Sequence, residues 1–152
     1  MKVYGHRGAG GEAPENTLAA FRHAIERGVR YLDMDLRLSA DNKMVVIHDK
    51  RVDRTTYDSG PVSRFTAREQ AAMDARRSAP PWPRKREAGI PTLDRVLEKT
   101  PEAKGYYLEV QGGLACGDEE NGKAAGQALS HLAKGQEGGG HVHEEGAARG
   151  TA

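Results

Sequence analysis

Hydrophobic and polar residues change rhythm several times along this chain. Leu18, Phe21, Ala24 and Ile25 recur at steps of three and four, which places them on one helical face. Pro14 suits a first turn, Asn16 or Thr17 can cap it, and Gly28 is a stop, so a helix is predicted within "APENTLAAFRHAIERG", 13–28. Ahead of it, Lys2–Tyr4 predicts a short strand that runs into a loop. After it, "VRYLDMDLRL" (29–38) and "KMVVIHD" (43–49) read as strands, rich in branched apolar residues. Thr66 with Glu69 makes a capping box that opens a short helix. Thr92 caps another within 90–99, and "GYYLEVQ" (105–111) is a further strand. Strands alternating with helices in this order predict βα units and a mostly parallel sheet, with one hairpin. No internal repeat is present.

The hairpin brings chemistry into the pattern. A two-residue turn at Asp41-Asn42, both types that tolerate positive φ, makes paired positions sum to 83. Leu36 then faces Ile47 and Asp35 faces His48. Asp33, Asp35 and His48 cluster on one face, because opposed Cβ atoms lie about 4.5–5.5 Å apart. A half-exposed hairpin with an Asp–His ion pair is one reading. A cation site is the other: two carboxylates on one strand face repel unless a cation sits between them, and oxygen donors suit Mg²⁺ or Ca²⁺.

Composition narrows the classes. The chain has 152 residues, which suits one domain, and a net charge of +1, too small to argue for a nucleic-acid partner. Mean hydropathy is −0.73 and no apolar run approaches the roughly 20 residues of a membrane span. The single cysteine, Cys116, cannot form an internal disulfide, and no signal-peptide core is visible, so a cytoplasmic location is expected. Eleven of the 19 glycines lie in 112–152, which holds no Ile, Phe, Trp or Tyr. The expected organisation is an informative domain over 1–111, a weak helix within 112–134 on Ala125, Ala128, Leu129 and Leu132, and a disordered tail over 135–152.

Other positions carry candidate chemistry. "GHRGAGG" places His6 and Arg7 just after the first strand, where an arginine fork and a following helix N-terminus suit a phosphate. Glu109 sits alone on a strand between Leu108 and Val110. It is either solvent-facing or, if its strand lies beside that of Asp33 and Asp35, a third oxygen ligand. The loop with Arg76, Arg77, Arg84, Lys85 and Arg86 around Trp82 is either a solvated loop or an attractor for an anion. "HVHEE" (141–145) has metal-type spacing but no scaffold.

Taken in order, "GHRG" (5–8), "APENTLAAF" (13–21), "DMDLRLSADNKMVVIHD" (33–49), "DRTT" (53–56), Gly60-Pro61-Val62, "IPTLDRVLE" (90–98) and "LEVQ" (108–111) resemble the glycerophosphodiester phosphodiesterase family. The resemblance covers about residues 2–111. It implies a metal-dependent TIM-barrel enzyme that hydrolyses glycerophosphodiesters to glycerol 3-phosphate and an alcohol. Position by position, it implies that Asp33, Asp35 and Glu109 hold a divalent cation, that His6 and His48 are the general acid–base pair, and that Arg7 contacts the substrate phosphate. Gln111 falls where the family usually carries a phosphate-facing lysine, and a neutral amide cannot supply that charge. Asp33 stands where the family has glutamate and must reach about 1.5 Å further.

A TIM barrel takes about 250 residues and eight βα units. This chain reaches three such strands by residue 111. The expected fold is therefore a partial TIM (β/α) barrel of three N-terminal βα units with a β-hairpin insertion, from a truncated member. Its open sheet edge invites self-association. The competing reading is an inactive fragment, or a module that binds phosphate without turnover. A related barrel phosphodiesterase, phospholipase D-like or phosphoinositide-cleaving, is a third; "PENT" and "IPTL" weigh against it.

Overall fold

The structure is a computed structural model and describes residues 3–9, 11–79, 81–82 and 87–111. The weak helix and the tail expected over 112–152, and the basic residues Arg84, Lys85 and Arg86, lie outside the described residues. The elements are β1 (Tyr4–His6), α1 (Leu18–Glu26), β2 (Tyr31–Leu38), β3 (Met44–Val46), a 3₁₀ turn (Val62–Arg64), α2 (Ala67–Ala71), α3 (Leu93–Lys99) and β4 (Gly105–Val110). Strand β1 begins at Tyr4, later than the expected Lys2–Tyr4. Thr17, not Asn16, caps α1: its hydroxyl accepts the Ala20 N–H at 3.2 Å. Thr66 and Glu69 form the expected capping box of α2, and Thr92 caps α3.

Strand β2 is the centre of a mixed sheet. It pairs in parallel with β4 from Tyr31 to Leu36. Its opposite edge pairs in parallel with β1 over Tyr31–Asp33 and antiparallel with β3 over Leu36–Leu38. Period-two alternation sends Leu32, Met34 and Leu36 to one face, where with Leu108 they meet Leu18, Phe21, Ala24 and Ile25 of α1 and Leu93 and Val96 of α3. Phe21, Leu32, Met34 and Leu36 are fully buried there, each stabilising the fold by roughly 1.5–3 kcal/mol. A second cluster joins Val45 and Ile47 to Val52, Val62, Met73 and Ile90 in the long connection from β3 to α3.

The hairpin register differs from the expected one by a single residue. Leu36 pairs with Val46, Arg37 with Val45 and Leu38 with Met44, so positions sum to 82. The loop is Ala40-Asp41-Asn42, closed by the Ser39 N–H to the Lys43 carbonyl at 2.9 Å, with Asn42 at φ 57°. Such loops end in a left-handed residue, which Asn accepts. The Asp41 carboxylate also takes the Ala67 N–H at the start of α2, at 3.0 Å. The expected pairing of Asp35 with His48 is therefore wrong by one residue: the Ile47 N–H bonds the Asp35 carbonyl, and β3 ends at Val46.

Candidate active site

Sheet register alone gathers most of the expected site. In a parallel pair, residues in register point to the same face. His6 is in register with Asp33, and Asp35 with Glu109. Asp33 and Asp35 are two apart on one strand. His6, Asp33, Asp35 and Glu109 thus share the face opposite the α1/α3 core, where β1 and β4 reach their C-terminal ends. Crevices outside those ends are where open α/β sheets bind ligands. Farther back on this face Tyr4 meets Tyr31 and Tyr107, with ring centroids at 5.5 and 6.3 Å.

Asp35 is the buried hub, 2% exposed. Its Oδ2 accepts from Asn16 Nδ2 at 3.1 Å and lies 3.2 Å from Arg7 Nε, an ion pair too poorly aligned for a hydrogen bond. Its Oδ1 accepts from Gln111 Nε2 at 3.0 Å. Gln111 thus turns an amide donor to a carboxylate of the site. Arg7 has φ 50° and Asn16 φ 54°, and the Asn16 N–H bonds the Arg7 carbonyl at 2.8 Å. Left-handed backbone is strained in non-glycine residues, and such strain collects at functional sites. Gly8, at φ 96°, lets this loop lie on α1: a Cβ there would sit 2.7 Å from that of Ala20.

The carboxylate face suits a hard divalent cation in kind. All three donors are oxygens, and register fixes their order. Burial, with Asp35 adding repulsion, pushes the Asp33 carboxyl above its ordinary range, although His6 and Arg7 pull the other way. A cation placed beside Asp33 would relieve that penalty. Among the described residues no three His, Cys, Asp or Glu side chains are drawn together as a finished cage. Asp35 faces Arg7, Asn16 and Gln111 instead.

His48 enters from outside the sheet. Its Nδ1 is 2.8 Å from Asp49 Oδ1, and its carbonyl accepts from Arg37 Nε at 2.7 Å. Asp49 in turn takes two hydrogen bonds from Arg54, Nε to Oδ2 at 2.8 Å and Nη2 to Oδ1 at 3.1 Å. The same guanidinium gives Nη1 and Nη2 to the two Glu15 oxygens at 2.7 and 2.9 Å. Glu15 also accepts from Arg7 at 3.3 Å. An unbroken polar chain thus runs His48–Asp49–Arg54–Glu15–Arg7–Asp35. Bonding to Arg54, reinforced by His48, holds the Asp49 carboxyl down to about 2 despite partial burial. The sequence reading did not single out Glu15, Asp49 or Arg54, and took Asn16 only as a candidate cap.

The described residues contain no helix long and apolar enough to cross a membrane. Comparison with known proteins adds an independent line. The model of the glycerophosphoryl diester phosphodiesterase family matches residues 6–122. The YhdW protein of Bacillus subtilis is 41% identical over 84% of this chain and 52% of its own. The glycerophosphodiester phosphodiesterase of Bacillus altitudinis is 34% identical over 72% of this chain and 44% of its own. A phosphodiesterase of Oleispira antarctica, solved in complex with the product sn-glycerol-3-phosphate, superposes with a TM-score of 0.75 at 26% identity, covering 93% of this chain and 56% of that one. The chain spans about half the length of the curated relatives it matches.

Proposed function

This chain belongs to the glycerophosphoryl diester phosphodiesterase family, and from that premise we propose that it hydrolyses glycerophosphodiesters to glycerol 3-phosphate and an alcohol. The observation that supports this best is the common face of His6, Asp33, Asp35 and Glu109 at the strand ends. In this reading β1–α1–β2 and the helices leading into β4 are the first βα units of a TIM barrel, with β3 as an inserted hairpin strand.

The residues divide the work by their chemistry. Arg7 binds the substrate phosphate, its planar fork matching two phosphate oxygens. Gln111 adds an amide donor beside it. His6 and His48 are the acid–base pair: one removes the proton of the attacking group, the other delivers a proton to the leaving alkoxide. His48, with Nδ1 directed at Asp49, keeps Nε2 for that transfer. Asp33, Asp35 and Glu109 would hold Mg²⁺ or Ca²⁺, which when bound polarises the phosphoryl oxygens and offsets developing charge.

The test is release of glycerol 3-phosphate from glycerophosphocholine, with either cation and with chelator. Cation-dependent product is expected, falling at least about 100-fold in His6→Ala and in His48→Ala. Folded wild-type protein that yields no cation-dependent product would overturn the reading. A second reading, a phosphate-binding module without turnover, is favoured by the full set of donors on Asp35. Saturable binding of glycerol 3-phosphate without hydrolysis of the diester would select it.

A further inference from the structure

Arg54 lies outside the expected site, yet its hydrogen bonds reach both halves of it. Its guanidinium makes two forks, one on Asp49 and one on Glu15, with four bonds between 2.7 and 3.1 Å. Paired bonds of this kind fix the angle between partners as well as their distance, which a single contact does not. Each carboxylate then passes the constraint on. Asp49 Oδ1 stands 2.8 Å from His48 Nδ1, and Glu15 Oε2 stands 3.3 Å from Arg7 Nη1. The linked residues come from two connections: Arg7 and Glu15 from the one between β1 and α1, and His48, Asp49 and Arg54 from the segment after β3.

An ornamental surface pair would not have this form. Isolated exposed ion pairs contribute little, because long side chains lose freedom to make them. Here the two carboxylates are half-buried, with Glu15 21% and Asp49 30% exposed in their side chains; the Arg54 side chain is 43% exposed, but its two forks tie all of them into one network. The ring geometry adds chemistry. A carboxylate only accepts, so the ring nitrogen facing Asp49 carries the proton. In the neutral ring this leaves Nε2 with its lone pair free.

We propose that Arg54 is a positioning residue: by forking onto Asp49 and Glu15 it fixes the tautomer and orientation of His48 and the placement of Arg7, so that the proton-transfer group and the phosphate-binding group keep one relative geometry. This rests on the hydrolytic reading above for the roles of His48 and Arg7. The ring's tautomer and orientation can be read without any turnover. The strong upward shift of the Arg54 pKa, caused first by Glu15 and then by Asp49, accords with a cation held from both sides.

The experiment uses the full chain as wild type, Arg54→Lys, Arg54→Ala and Asp49→Asn. Long-range ¹H–¹⁵N spectra read the His48 tautomer. Turnover of glycerophosphocholine with Mg²⁺ gives kcat and KM separately. In the wild type, His48 is expected as the Nδ1–H tautomer. All three variants should show a mixed ring, and kcat should fall by about 10- to 100-fold, the order expected for a misplaced catalytic group. Arg54→Lys should lose as much as Arg54→Ala, because an ammonium cannot fork. Free guanidinium ion should restore part of the rate in Arg54→Ala and none in His48→Ala. A general loss of folding would not give that selective rescue. An unchanged His48 tautomer in Arg54→Ala and Asp49→Asn overturns the proposal, whatever the rates. A wild type with the expected tautomer, shifted in the variants, but with no turnover overturns the hydrolytic reading and leaves the positioning role standing.

Discussion

Asp33 is held in a conflict that its neighbours create. Burial and the adjacent Asp35 both oppose its charge, while His6 and Arg7 favour it, and the balance lies with opposition. A carboxyl raised in this way takes stability away as pH climbs from its unfolded pKa to its folded one, and the loss is complete above that, so removing the charge should help the cation-free protein. Under the proposed cation role, Asp33→Asn is expected to melt at a higher temperature than wild type in chelator at neutral pH, and to lack the rise in melting temperature expected of the wild type with Mg²⁺ or Ca²⁺. Asp33→Glu should strengthen that rise, since the longer side chain recovers about 1.5 Å of reach. Thermal shift across a cation titration checks both; an Asp33→Asn protein that still gains stability from the cation would remove Asp33 from the ligand set. At this scale the sequence was informative wherever residue type alone limits the chemistry, as with paired carboxylates on a strand. It offered Asn16 only as a helix cap, a type that suits either role, because only the fold brings Asp35 within 3.1 Å of its amide. Glu15 and Arg54 likewise look like ordinary surface charges until 39 positions of chain are folded away between them.

Among the elements, β3 shows why a register is hard to read. Met44, Val45, Val46 and Ile47 are all buried, so neither face of the strand is polar. Met44 and Val46 belong to the core under the sheet, Val45 and Ile47 to the cluster beneath the long loop. A period-two pattern selects a register only when one face stays wet. Here the selection falls to the loop, where Asn42 accepts φ 57° and Asp41 ties the turn to α2. The loop residue therefore carries a measurable share of hairpin stability. Asn42→Gly should leave stability unchanged or raise it slightly, and Asn42→Ile should lower it by about 1–2 kcal/mol, the cost of left-handed backbone for a β-branched side chain that lacks the local hydrogen bonding of Asn. Urea denaturation of the pair measures this; equal stability in both would mean that the loop does not set the register. The helices were easier to read. Their caps and apolar stripes are local, and Thr17, Thr66 and Thr92 each accept from the backbone three positions on.

Across the molecule, the polar chain from His48 to Asp35 connects segments that the sheet itself does not pair, and its response to acid shows how far it holds them. Asp49 is held to about 2, against an ordinary 3.8, first by Arg54 and then by His48. Asp53 is also held to about 2, by the Gly60 N–H, Arg51 and Ser59 within its own loop. A carboxyl depressed by folding contributes stability that is complete above its unfolded pKa and is lost as pH falls through its folded one. The window is therefore from about pH 4 down to about pH 2. Asp33 opposes this trend, since its raised carboxyl is relieved by protonation. Wild-type protein should lose melting temperature steeply across that window, net of Asp33. Asp49→Asn should melt lower than wild type at about pH 6 and show a shallower fall below pH 4, because its amide no longer exchanges a proton there. Asp53→Asn serves as the contrast: a shallower acid slope of its own, with no change in the His48 ring. Calorimetry at a series of pH values, read beside the His48 spectrum, separates a local loop contact from the chain that joins the two halves of the site. Parallel acid slopes for wild type and Asp49→Asn would mean that the Asp49–Arg54 link does not bear on the stability of the whole.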